Sequence, residues 1–118
     1  MWIFTETGFV SAVKKPQDKG LVSLRARDHA SLEAIAAEYN VEIINTPHGD
    51  YPWRTFITNE QLAQWLTEMA LNLDYPNFKS RVHKTNKSSK FINALHDVWA
   101  VMTQTEDEDA RPKNFFDA

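Results

Sequence analysis

The sequence contains no cysteine. Disulfide staples, thiolate metal sites and thiol catalysis are therefore excluded, and the absence fits a reducing compartment. Glycine is scarce: there are three, isolated at Gly8, Gly20 and Gly49. A phosphate-cradling loop needs clustered glycines so that backbone can approach the ligand, so neither the dinucleotide nor the mononucleotide fingerprint is present. There is no Gly-x-Ser-x-Gly nucleophile elbow either. The apolar runs fall far short of the roughly 18 residues that a membrane span needs. The opening Met1-Trp2-Ile3-Phe4-Thr5-Glu6 lacks the basic start of a secretory signal. These absences together give the expectation of a cytoplasmic chain with no membrane partner.

What is present is a folding composition. Of 118 residues, 42% are hydrophobic and 12% aromatic, with four tryptophans; a disordered chain carries far fewer. A chain of this size buries roughly 65% of its unfolded surface, enough to fold without metal or crosslink. The expectation is one domain over residues 1–103, followed by an acidic, loose tail over 104–118.

Charge is segregated along the chain. From Tyr75 to His96 stand Lys79, Arg81, Lys84, Lys87 and Lys90 with no acid among them, and Glu106-Asp107-Glu108-Asp109 follows. The whole chain carries −3, so that window of +5 leaves −8 on the rest. Such segregation can make a local docking surface on an acidic protein.

Residue periodicity predicts the order β-β-β-α-β-β-α-α-α. Trp2 to Thr5 and Phe9 to Lys14 read as a hairpin about Glu6-Thr7-Gly8. Leu21 to Arg27 alternates, with Val22, Leu24 and Ala26 on one side and Leu21, Ser23, Arg25 and Arg27 on the other, which predicts a half-buried strand. Asp28 caps a helix carrying Leu32, Ile35, Ala36 and Tyr39, and Asn40 stops it. Val41 to Asn45 and Trp53 to Thr58 read as strands flanking the loop Thr46–Asp50. Thr58 and Gln61 form a capping box ahead of the stripe Leu62, Trp65, Leu66, Met69 and Leu73. Pro76 ends that helix. Phe78 and Val82 sit on a short basic helix, and Ser88 or Ser89 caps a last one with Ile92, Leu95, Trp99 and Met102 inward. The fold class is α+β: an antiparallel sheet of four to five strands covered by three to four helices. Leu21 to Leu73 matches part of a ferredoxin-like split unit.

Candidate sites fall in three places. In the basic segment, Lys79, Arg81, Lys84, Lys87 and Lys90 are spaced to meet phosphates or an acidic protein surface; the plainer reading is a solvated face. The loop His48–Arg54 packs an imidazole, a carboxylate, two aromatics and a guanidinium, and Tyr51, Trp53 and Arg54 are residue types favoured at interface hot spots. Its plainer reading is Trp53 in the core and His48 and Asp50 making the turn. The histidines are scattered, with no i, i+4 pair, so a metal centre would have to assemble in space from His48, Asp50, His83 or His96 and Asp97. Trp2, Phe4 and Phe9 lie on predicted strands, where aromatics stack bases in some RNA binders and more commonly fill a core. Phe115-Phe116 could dock on a partner or fold back.

The segments Met1-Trp2-Ile3-Phe4-Thr5, Gly8-Phe9-Val10-Ser11, Asp74-Tyr75-Pro76-Asn77-Phe78-Lys79-Ser80 and Leu95-His96-Asp97-Val98-Trp99-Ala100-Val101-Met102 resemble a group of small uncharacterised proteins of bacteria and phages. The resemblance spans residues 1–102 and implies a shared compact fold, but no activity, cofactor or site.

The reading is a small non-catalytic binding protein of inhibitor or adaptor type. It implies no cofactor, no catalytic residue and no resident metal. Its contacts would be Lys79, Arg81, Lys84, Lys87 and Lys90, with Tyr51, Trp53 and Arg54 as a second patch. A protein partner comes first and nucleic acid or a nucleoprotein second. A homodimer through the N-terminal strand is a further option. The alternative from another class is a metal-assisted hydrolase or nuclease using His48, Asp50 and His96.

Overall fold

The computed structural model describes residues 1–85 and 88–112. Lys87, the Phe115-Phe116 pair and the end of the acidic tail lie outside the described residues. The chain divides into two compact units, residues 1–87 and 88–118.

The first unit is the α+β sandwich expected from periodicity. Strands β1 (Trp2–Thr5), β2 (Gly8–Val13) and β3 (Val22–Ala26) form a meander, helix α1 (Ala30–Tyr39) follows, then β4 (Ile44–Asn45), β5 (Trp53–Ile57), α2 (Asn59–Leu71) and α3 (Phe78–Thr85). The five strands make one antiparallel sheet in the order β1-β2-β3-β5-β4. β3 and β4 therefore run parallel with β5 between them, the split β-α-β arrangement. The place beside β3 is taken by β2 from the N-terminal side, whereas a ferredoxin-like chain fills it with a strand after α2.

One face of the sheet is the core. Val10, Ala12, Val22, Leu24, Ala26 and Ile57 lie against Leu32 and Ile35 of α1 and Leu62 and Trp65 of α2. Leu24, Leu32 and Ile35 are wholly shielded. Register explains the selection: Ala12 pairs with Leu24 and Leu24 with Thr55, so alternate residues of each strand share a face. The strand after α1 is shorter than its apolar run suggests. Only Ile44–Asn45 pairs, while Val41 and Ile43 pack on the core as irregular chain.

Helix ends follow local chemistry. The Asp28 carboxylate accepts the Ser31 N–H and the Ser31 hydroxyl at the start of α1. Asn40 takes the left-handed conformation (φ 51°) that closes it. Thr58 and Gln61 form a reciprocal capping box, with the Gln61 N–H donating to Thr58 Oγ1 at 3.1 Å and the Thr58 N–H to Gln61 Oε1 at 2.9 Å. Thr58→Ala is expected to lower stability by about 1 kcal/mol, measured by urea unfolding, with the far-ultraviolet spectrum retained. Leu73 is not part of the inward stripe: α2 ends at Leu71, and Leu73 lies beyond it, 59% exposed.

The second unit contains α4 (Ser89–Met102), capped where expected by the Ser88 hydroxyl, which accepts the Phe91 N–H. Leu95 is its buried residue. Trp99 and Met102, expected inward, are 64% and 54% exposed. In the segment after the helix, Arg111 donates to both carboxylate oxygens of Glu106 at 2.7 and 2.9 Å. No helix among the described residues is long and apolar enough to cross a membrane.

Candidate interaction surface

The face of the sheet opposite α1 collects two kinds of side chain. At one end are Trp2, Phe4 and Phe9, placed together by the register Trp2↔Ser11 and Phe4↔Phe9. Phe4 stacks on Phe9 with centroids 4.6 Å apart, and Trp2 meets Phe9 edge-on at 5.8 Å. Trp2 is nonetheless 70% exposed. Toward the middle are Ser11, Arg25 and Arg54, consecutive across β2, β3 and β5.

Asp50 organises the arginines. Its carboxylate accepts from Arg25 at 2.9 Å and from Arg54 at 2.7 Å. Its carbonyl accepts from Arg27 at 2.6 Å. The second amino group of Arg25 donates to Ser11 Oγ at 2.8 Å. Tyr51 lies against the guanidinium groups of Arg25 and Arg27, 4.6 and 4.0 Å from its ring centre. β3 is consequently buried on both faces rather than half-buried, because the loop before β5 folds back over it. Desolvation pushes the Asp50 carboxyl upward, but the Arg54 hydrogen bond and the charges of Arg25 and Arg54 outweigh it and hold the group below its ordinary range.

Tyr51, Trp53 and Arg54 of the loop are therefore engaged internally. Tyr51 is 6% exposed beneath its arginines. Trp53 packs on the core, with the His29 ring edge-on at 5.0 Å. Arg54 is tied to Asp50 and to Thr46 Oγ1. His29 itself pairs with Glu33 at 2.8 Å. Among the described residues no group of three or more metal-ligating side chains gathers. The Asp50 carboxylate is bound to Arg25 and Arg54, and His48 is exposed.

The basic segment is distributed over both units. Lys79, Arg81 and Lys84 stand on α3, and Lys90 on α4. Arg81 is a bridging residue: it reaches Asp74 at 2.6 Å and Glu6 at 3.5 Å and lies 5.0 Å from the Tyr75 ring centre. The hydrogen bond to Asp74 favours its charged form and, with Glu6, holds its pKa above the usual arginine value.

Beside β1 runs a groove of about 430 Å³, lined by Ile3, Leu66, Met69, Leu73, Tyr75 and Arg81 among others. β1 is the edge of the sheet. Met1 and Ala12 exchange both backbone hydrogen bonds at 2.8 Å. Antiparallel alternation then turns the backbone groups of Ile3 and Thr5 toward β2 and leaves the N–H and C=O groups of Trp2 and Phe4 pointing away from it. No periodicity could reveal this edge, since it depends on strand order; the exposed Trp2 is its clearest mark.

Comparison with known proteins finds no matching family model, no similar curated protein and no similar solved structure.

Proposed function

We propose that this chain is a non-catalytic docking domain whose partner is a protein, and that the partner seats on the β1 end of the sheet. The observation that supports this most is the coincidence of three features at one edge. Trp2 is 70% exposed, the outward backbone groups of Trp2 and Phe4 adjoin it, and a groove lined in part by Ile3, Leu66 and Met69 lies alongside. Exposed tryptophan on a rigid strand is a preferred interface anchor, because it buries a large area with little loss of side-chain freedom. Tyr51 and Trp53 serve the domain's own packing in this reading. Lys79 and Lys84, on α3, lie outside the contact in this reading.

One observation favours nucleic acid as a second reading. Arg25 and Arg54 share the Asp50 carboxylate on the same side of the sheet as Trp2, Phe4 and Phe9, and Arg27 donates to the Asp50 carbonyl, so bases could stack beside a positive surface.

Affinity capture with the tagged full chain separates the two. Wild type is expected to retain a protein that Trp2→Lys loses and Lys84→Glu keeps. Capture unaffected by Trp2→Lys would sink the reading. So would tight, steeply salt-dependent binding of single-stranded oligonucleotides in an anisotropy titration.

A further inference from the structure

Resting on the docking reading above, we infer that the partner supplies an extended segment, apolar at its centre and basic at its ends, which adds as a sixth strand to the edge of β1 that no strand of the described residues pairs. An edge strand is commonly blunted by shortness, lysine, proline or a bulge. Trp2-Ile3-Phe4-Thr5 is short, at four residues, but carries no lysine or proline and pairs without a bulge. Its outward N–H and C=O groups at Trp2 and Phe4 offer two residues' worth of ladder hydrogen bonds to a peptide lying beside it.

Strand geometry then assigns the added side chains. Successive residues point to opposite faces, so every second side chain enters the groove against Ile3, Leu66 and Met69. The intervening ones lie along Trp2 and Phe4 on the other face. Backbone pairing supplies affinity and the groove supplies selection for an apolar residue.

Charge decides the flanks. Glu6 and Glu68 line the groove, and Asp74 stands at its rim through Arg81. Arg81 is already shared between Glu6 and Asp74. The groove's charged lining is two carboxylates, Glu6 and Glu68, against Arg81, which Asp74 also pairs, and this suits lysine or arginine on the incoming segment and opposes a phosphate backbone. A second copy of this chain would bring two such rims to one edge.

The test uses ¹⁵N-labelled full chain and three blocked heptapeptide probes. One has lysine at both ends and valine, leucine and threonine between; one replaces the lysines by glutamate; one places proline at the centre. The first is expected to shift the amides of residues 2–6 and 66–73. The glutamate probe should bind about tenfold more weakly. The proline probe, which lacks a central N–H, should leave the Trp2 and Phe4 amides unmoved. Shifts confined to other elements, equal binding of the glutamate probe, or no shift at millimolar peptide would overturn strand addition. Trp2-dependent protein capture accompanied by unmoved β1 amides would overturn strand addition alone and leave the docking reading standing. A concentration-dependent doubling of mass that Trp2→Lys abolishes would assign the edge to a second copy and also overturn the proposal.

Discussion

Arg25→Ala is expected to destabilise the protein by about 2–4 kcal/mol, one of its two largest single-residue effects. The Arg25 side chain is only 10% exposed. Its removal leaves the Ser11 hydroxyl, in a residue 1% exposed, without its donor. It also strips Asp50 of one of two cations and Tyr51 of one of the two guanidinium groups against it. Arg25→Lys should recover part of the loss, since an ammonium keeps the charge but cannot fork between Asp50 and Ser11. The check is urea unfolding of both variants. A loss below about 1 kcal/mol for the alanine variant would show that this network does not hold the loop on the sheet. The same network sets a pH dependence. The folded Asp50 carboxyl titrates below its ordinary value of 3.8. Its stabilisation is therefore complete above the unfolded-chain value and is lost as pH falls through the folded one. Asp50→Asn should lower stability at neutral pH and flatten that acid limb.

Gly8→Ala is the second large effect, expected at about 2–4 kcal/mol. Gly8 closes the first hairpin with φ 142°, a conformation that side chains rarely adopt. A methyl group there would stand 2.0 Å from Ser31 Oγ, 2.8 Å from Ser31 Cβ and 3.1 Å from Ser31 Cα. The close approach has a purpose: Ser31 Oγ accepts the Phe9 N–H at 3.2 Å, tying α1 to the start of β2. Adding Ser31→Gly to Gly8→Ala removes the nearest atoms and should recover part of the loss, so the pair should be non-additive. Strict additivity in thermal unfolding would mean that the helix and hairpin are not in the contact described.

Features with a local cause were legible in the sequence. The alternation of Val22, Leu24 and Ala26 marked the core face of β3, because period two is a property of the strand itself. Asn40 and the Thr58–Gln61 pair marked helix ends, because caps are satisfied within one turn. Features that depend on remote partners were not legible. Asp50 looked like part of a turn, yet its partner Arg25 lies 25 residues away and is brought near only by the register of β3 against β5. Trp2 and Trp99 have apolar side chains at strand and helix positions, and nothing in their spacing indicates that both are exposed. The groove beside β1 is assembled from residues 3 to 81, so it exists only once strand order is known. The basic run was conspicuous in one dimension, but Arg81 proves to be bound between two carboxylates.

The most direct test of the central claim is site-specific photocrosslinking in the producing cells, with a photoreactive residue placed at position 2 and, in parallel, at exposed position 48 in the loop before β5. Position 2 is expected to crosslink one protein, and position 48 is not. Crosslinks to nucleic acid from position 2, or the same protein recovered from both positions, would contradict docking at the β1 edge.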